Sequence, residues 1–430
     1  MNPLRLIHSE HKKGMSRLIQ MDMRLQRHEG TSHQNANKQC GKNALSRSTR
    51  NLRVITCAAL VLLLSGSFLG VRADDLDQQI ATYRERLAEY KSAWAAYEAE
   101  AGSYWTAIAE KRRRRIAKQH DGERPTAADY VLAQPPLYTG PPKPQNPERP
   151  QGEFEYVPVV ADFLEQAQEQ FGFTPDRPAN NDEYARAYAK AALAAGLTPE
   201  QCVKIYAFES GGSGGYAVQA GLEFDRPGAR AITTALGYNQ LLATNSIELL
   251  AEVGDRILAS LKAKALDADG PQRERLESKI AILKKMIAFS RSVPDRWAAH
   301  TRLAGTAKGL AIHALNLDID IGPLLQVHKL LTSVTYASRK GYTAPLTAAE
   351  LEMMNLTGDG NGFDMVTMPA DLRKKVPTSN FFQRGGYERN PVAIRNNTVA
   401  ALLAATEAKM EEEAQLPGAK ALAAAFAGTQ

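Results

Sequence analysis

Apolar positions recur at alternating spacings of four and three from Leu76 to Ile108: Leu76, Ile80, Tyr83, Leu87, Tyr90, Trp94, Tyr97, Ala101, Tyr104 and Ile108. This heptad spacing runs for about five heptads and predicts one long helix of coiled-coil type. Four of the ten seam positions are Tyr and one is Trp, which is less regular than a Leu/Ile zipper. The seam therefore predicts either self-association through Leu76–Ile108 or a helix onto which a following segment folds back.

A second pattern begins near Glu153 and continues to Thr406. "VADFLEQAQEQFGF", "NDEYARAYAKAALAAG", "TPEQCVKIYAFE", "NSIELLAEVGDRILASLKAKAL" and "RERLESKIAILKKMIAFSRS" place apolar residues at a spacing near 3.6. Alternation of β-branched residues is scarce, so a mainly α domain with one sizeable core is expected. Between the two patterns lies "QPPLYTGPPKPQNPERP" (Gln134–Pro150). Its prolines favour polyproline II and predict a semi-rigid spacer. The expected organisation is a leader at 1–73, a heptad helix at 74–120, a Pro-rich linker at 121–152, the helical domain at 153–406 and an Ala/Glu-rich tail at 407–430.

Charge alters how the leader is read. The chain carries +6 overall, but its first 73 residues hold 12 Lys and Arg against 3 Asp and Glu. The remainder, with 41 basic and 44 acidic residues, is about −3. A nucleic-acid partner is therefore not implied by the basic pI. "VITCAALVLLLSGSFLGV" (Val54–Val71) is apolar and follows a basic stretch. Val71 and Ala73 supply small residues at the −3 and −1 positions of a cleavage site. This pattern predicts an export signal cleaved near Ala73 and a periplasmic or secreted protein, the alternative being a membrane anchor. Cys40 and Cys57 belong to the leader region. Cys202 alone remains, and its helical context marks a buried small residue. "KRRRR" (Lys111–Arg115) reads either as a solvated helix end or as a contact for an anionic surface.

The stretch "KIYAFESGGSGGYAVQAG" (Lys204–Gly221) concentrates the candidate chemistry. Thr198, Pro199 and Gln201 are the N-cap, first helical residue and capping-box partner of a helix that should end near Phe208 or Glu209. A carboxylate there faces the negative end of the helix dipole, and apolar neighbours add desolvation. Both effects raise its pKa, as a general acid requires. Gly211, Gly212, Gly214 and Gly215 are expected to leave room for an extended polymer.

Downstream, "GYNQLL" begins at Gly237 and places Gln240 in a turn before another helix. With Glu209-Ser210-Gly211 at a helix end, this turn resembles the second motif of the lytic transglycosylase and goose-type lysozyme group. That motif is Gly-Leu-Met-Gln followed by an apolar residue, Met and Pro. Gly237, Gln240 and Leu241 match, whereas Tyr238-Asn239 replace Leu-Met and Ala243 replaces Pro. The resemblance covers roughly residues 150–260. It implies a lysozyme-like helical domain in which Glu209 is the catalytic acid/base and peptidoglycan glycan strands are the substrate. Ser210, Gly211, Tyr216, Gln219, Tyr238, Asn239 and Gln240 are its candidate substrate contacts. The family's Ala-Tyr-Asn-Ala-Gly turn has its nearest counterpart at Ala314-Leu315-Asn316, where Leu315 replaces the tyrosine; Tyr336 and Tyr342 are alternative hydroxyl sources. The reaction implied is a single-carboxylate one. Glu209 protonates the glycosidic oxygen between N-acetylmuramic acid and N-acetylglucosamine, then deprotonates the muramic C6 hydroxyl to give a 1,6-anhydro product. Hydrolysis by water is the other route, and neither calls for a metal or cofactor. A scaffold that binds peptidoglycan without turnover is the competing expectation.

Glu209 has no evident second carboxylate in the sequence, with Glu223, Asp225 and Asp364 as spatial candidates. "LTGDGNGFDMVTMP" (Leu356–Pro369) reads as a plain turn or as a loop lining the cleft. Its Asp359, Asn361 and Asp364 are possible calcium donors, without the EF-hand spacing. "NFFQRGGYERNP" (Asn380–Pro391) reads as a turn whose Phe381, Phe382, Arg384, Tyr387 and Arg389 either form a satellite cluster or meet sugar and carboxylate groups.

Overall fold

The computed structural model describes residues 66–148, 156–212, 214–222 and 230–429, with side chains from Leu76 onward. Most of the apolar leader segment, Cys40, Cys57, Glu223 and Asp225 lie outside the described residues. The chain is mainly α. Among the described residues, sixteen α-helices and three 3-10 turns account for the regular structure, and extended pairing is confined to isolated bridges. None of the described helices is long and apolar enough to cross a membrane.

Two compact units divide the chain. Helix α1 (Gly66–His120) runs from one into the other. The smaller unit contains α1 up to Glu110 together with 135–148. Here the heptad seam meets the Pro-rich segment. The Tyr138 ring packs edge-on against Tyr90, Trp94 and Tyr97 at centroid distances of 6.0, 5.0 and 5.5 Å. The segment expected to be a spacer is thus fastened to the helix by aromatic packing, the reason the seam is rich in Tyr and Trp.

The larger unit holds 111–134 and everything described from Tyr156 onward. Its elements are α2 (Val160–Phe171), α3 (Asn181–Ala194), α4 (Pro199–Ser210), α5 (Ala243–Leu266), α6 (Gly270–Ser290), α7 (Trp297–Ala304) and α8 (Ala307–His313). They continue as α9 (Gly322–Arg339), α10 (Ala348–Thr357), α11 (Asp359–Thr367), α12 (Ala370–Arg373), α13 (Arg384–Glu388), α14 (Pro391–Arg395), α15 (Val399–Glu413) and α16 (Pro417–Ala427).

Helix α4 is the axis of this unit. Every residue from Gln201 to Phe208 is buried. Its start follows the local signals, since Thr198 Oγ1 accepts from the Gln201 amide and Gln201 Oε1 accepts from the Thr198 amide. It stops after Ser210, one residue beyond the expected end, because Gly211 takes the left-handed φ of 64°. The Cys202 thiol is buried here, and desolvation pushes it up to about 12, as a core residue rather than a nucleophile. From Glu407 onward the chain is helical: α15 runs across that position, and α16 buries Leu422 and Phe426 in the core.

The basic run at the end of α1 is largely structural. Arg115, 1% exposed, donates to Asp364 Oδ2 at 2.8 Å and to the Asp129 and Asn380 carbonyls, and stacks over Tyr130. Arg112 donates to the Asn380 and Phe382 carbonyls. Arg113 and Arg114 remain exposed. Leu356–Pro369 is not a turn but the end of α10 and all of α11. Asp364 faces Arg115 and Tyr130, while Asp359 accepts from Ser333, so these side chains are already partnered as an oxygen ligand set would not be. Among the described residues no group of three or more His, Cys, Asp or Glu is arranged to hold a metal ion. Asn380–Pro391 likewise condenses into a 3-10 turn and α13, with Phe381 and Tyr387 buried.

Candidate functional site

A cavity of about 410 Å³ opens beside the C-terminal end of α4, with Glu209 in its wall. Asn239 and Gln240 line it from the turn before α5, and Glu248 and Glu252 line it from α5 itself. Lys329 enters from α9, and Glu352 and Asn355 enter from α10. Trp297, Phe381 and Phe382 supply aromatic surface. The wall thus combines aromatic faces with convergent polar and acidic groups.

The electrostatics concentrate on two carboxylates. Asn355 Nδ2 donates to Glu209 Oε1 at 3.1 Å, and Glu352 lies one helical turn before Asn355 in the same wall. Glu209 Oε2 and Glu352 Oε2 are both enclosed and accept from no donor among the described residues. Burial, then the charge of Glu352, hold the Glu209 carboxyl well above its usual range, against an opposing pull from Lys329. Burial likewise pushes Glu352 up to about 8, with Asn355 and Lys329 opposing. A cavity with two such groups keeps a proton available near neutral pH.

The turn carrying Gln240 owes its shape to buried partners. Leu236 and Leu241 exchange backbone hydrogen bonds around Gly237, whose φ of 82° requires glycine. A Cβ on Gly237 would lie 2.5 Å from Gln326 Nε2. Gln240 itself is left-handed, with φ 42°, the one non-glycine residue of positive φ among those described. Its side-chain amide donates to the Gly237 and Val218 carbonyls, which offsets the backbone cost. Behind the turn, Gln326 accepts from the Asn239 amide and donates to the Leu236 carbonyl and Asn316 Oδ1. Asn316 continues to Ser246 and His313, and His313 Nε2 meets the Thr234 carbonyl. The Ala314-Leu315-Asn316 stretch therefore lies beneath the Gln240 turn. Its asparagine supports the turn, and Leu315 is simply core.

Glu209, Asn239 and Gln240 come together on the cavity, as do Asp359, Asn361, Phe381 and Phe382, whereas Ser210, Gly211, Tyr216, Gln219 and Tyr238 do not line it. Ser210 donates back to the Tyr206 carbonyl. Tyr216 stacks on Tyr184, and Gln219 donates to the Pro158 and Thr233 carbonyls. Tyr238, 1% exposed, meets Tyr184, Tyr188 and Tyr206 edge-on. These side chains complete the α3–α4 core instead of facing a ligand. Tyr336 and Tyr342 both pack on Phe363, and no tyrosine lines the cavity among the described residues.

The glycines after Glu209 are also placed differently from expectation. The Gly418 amide donates to the Gly212 carbonyl at 3.0 Å. A Cβ on Gly212 would sit 2.7 Å from the Glu413 carbonyl oxygen, and one on Gly418 would sit 2.6 Å from the Tyr206 hydroxyl oxygen. Small residues at 212 and 418 admit the α15–α16 corner, not a polymer strand. Glu352, Asn355 and Lys329 were not singled out by sequence reasoning. Glu352 falls in "LTAAELEMMN", where a glutamate reads as an ordinary polar helical position. Only its packing against α4 distinguishes it.

Comparisons of the chain with protein-family models, with curated proteins and with solved structures return no match.

Proposed function

We propose that the protein cleaves the N-acetylmuramic acid–N-acetylglucosamine bond of peptidoglycan, with Glu209 as the acid/base, on a divergent lysozyme-like domain exported from the cytoplasm. The observation that carries this reading is the placement of Glu209. It follows the eight buried residues Gln201–Phe208, stands in the cavity wall with one oxygen enclosed and without a donor, and has its proton held by burial and a like charge. That is the state of a general acid before reaction. The resemblance of Glu209-Ser210-Gly211 and of the Gln240 turn to the lytic transglycosylases supplies the substrate class, and the aromatic wall suits sugar rings.

In the reaction, Glu209 gives its proton to the glycosidic oxygen as the C1–O bond breaks. The resulting carboxylate takes the proton of the muramic C6 hydroxyl, whose oxygen closes onto C1 as the 1,6-anhydro ring. Water in place of that hydroxyl gives a reducing end. Asn355 orients Glu209 through the bond to Oε1. Asn239 and Gln240 stand in the same wall, where their side-chain amides donate to the Gln326 carbonyl and to the Gly237 and Val218 carbonyls and so fix its shape.

Mass spectrometry of products released from purified sacculi tests this reading. Glu209→Gln should lower release to background, and the wild-type products should be lighter by one water than hydrolytic muropeptides if the C6 hydroxyl attacks. Wild-type release surviving in Glu209→Gln overturns it. The absence of a tyrosine on the cavity and the covered glycine loop favour a second reading, a peptidoglycan-binding scaffold. That reading predicts co-sedimentation with sacculi and no product from the wild-type protein.

A further inference from the structure

We propose that Glu352 is the positioning residue of the site, and that Glu209 and Glu352 hold a single proton between them. This inference rests on the reading of Glu209 as the acid. It adds a second carboxylate to what the sequence presents as a lone one.

The geometry carries it. Glu352 is 2% exposed and stands one turn before Asn355 on α10, so both side chains leave the same helix face toward α4. The Asn355 amide donates to Glu209 Oε1, and Glu352 stands beside it in the wall of the same cavity. Two oxygens, Glu209 Oε2 and Glu352 Oε2, are left without a donor. Lys329 of α9 is the cation facing the pair, while Glu248 and Glu252 of α5 and Asp359 of α11 complete the titratable wall of the cavity. Two ionised carboxylates with enclosed, unpaired oxygens and one nearby ammonium are strongly disfavoured. One bound proton removes a like-charge repulsion and supplies an O–H donor. When that proton passes to the leaving oxygen, both carboxylates become ionised as positive charge develops at the sugar C1, which compensates them. The proton of the attacking hydroxyl then returns to the pair, so the cycle closes without another reactant.

The test compares wild type, Glu352→Gln and Glu352→Asp. On sacculi, the alkaline limb of the rate profile should move down by one pH unit or more in Glu352→Gln. That is about a tenfold loss above the limb, with activity near wild type on the acid side. Glu352→Asp, which keeps the charge, should retain the wild-type limb. A uniform loss at every pH in both variants marks Glu352 as merely structural and overturns the proposal. Infrared titration of the protein without substrate separates this inference from the assigned reaction. One carboxyl should remain protonated at pH 7 in wild type, and its midpoint should fall by at least one unit in Glu352→Gln. Equal midpoints overturn proton sharing whatever the substrate. A shifted midpoint with no sacculus product leaves the pair standing and removes the assigned reaction.

Discussion

Gln326 Oε1 accepts from the backbone amide of Asn239 at 2.8 Å, joining the middle of α9 to the turn that places Gln240 on the cavity. The same amide side chain donates to the Leu236 carbonyl and to Asn316. Gln326→Leu keeps the volume but leaves these buried partners unpaired, at roughly 1–3 kcal/mol each. We expect a loss of about 3 kcal/mol or more in urea denaturation. Turnover on sacculi should fall further than the population of folded protein.

The carboxyl pair makes stability depend on pH in an unusual direction. Glu352 has its folded-state value raised to about 8, against an ordinary carboxylate range in the unfolded chain. Between about pH 4.5 and 8 the folded state therefore binds more protons than the unfolded state. The pair's contribution to stability is full below that window and is lost as pH rises through it, at up to about 1.4 kcal/mol per pH unit per proton. Glu352→Gln should flatten this slope. Denaturation midpoints measured across the window decide the point; a wild-type slope unchanged in the variant contradicts it.

His313 acts in the opposite sense. It is fully buried between Ser246, Asn316 and the Thr234 carbonyl, and burial lowers its pKa to about 4. The unfolded chain takes up a proton near pH 6.5 and the folded one does not, so stability falls as pH drops from about 6.5 to 4. An NMR titration of the imidazole should show its midpoint near 4. A midpoint at the ordinary histidine value would contradict the buried neutral form.

Two neighbouring glycines should respond differently to alanine. Gly211 and Gly212 both have left-handed φ, but a Cβ on Gly211 meets nothing within 4 Å. Gly211→Ala should cost about 1–2 kcal/mol from backbone strain alone. Gly212→Ala adds the collision with the Glu413 carbonyl and Leu416, and should destabilise more and loosen α16. Hydrogen exchange in 417–427 reads this directly. Equal costs at the two positions would mean the C-terminal corner does not press on the loop.

Arg115 and Asp364 form a buried ion pair, so removing one partner should cost about 3–5 kcal/mol. Arg115→Met should show that loss, and adding Asp364→Leu should recover much of it. Arg113→Glu with Arg114→Glu, both exposed, should leave the thermal midpoint within about 1 °C per few tenths of a kcal/mol. If the exposed part of the basic run meets anionic surfaces, only that double variant should weaken binding to anionic vesicles.

Elements whose cause is local could be read from the chain. The start and stop of α4 follow from Thr198, Gln201 and Gly211, and the helical periods identify a mainly α domain. Glu209 and Gln240 were visible for the same reason, since a helix end and a glycine-led turn are short-range features. The glycine loop was misread because small residues permit close approach without saying by what. A polymer and the α15–α16 corner demand the same absence of a Cβ. Tyr216, Gln219 and Tyr238 were assigned to a ligand because they flank the motif, whereas the α3–α4 core claims aromatic side chains from that stretch. Glu352 and Lys329 are 143 and 120 residues from Glu209, and no local pattern ties them to it. The basic run at Lys111–Arg115 could not reveal which arginines turn inward, because that depends on Asp364 and Asn380 more than 240 residues later.

The contact between Gly212 and Gly418 also has a bearing on timing. A ribosome releases α4 long before it releases α16, so during synthesis the loop that follows Glu209 has nothing to close against. The Gly212 loop gains its partner only once residues 413–427 have emerged and docked. A nascent or C-terminally clipped chain would carry every cavity-lining residue and still lack the contact that closes the loop after Glu209.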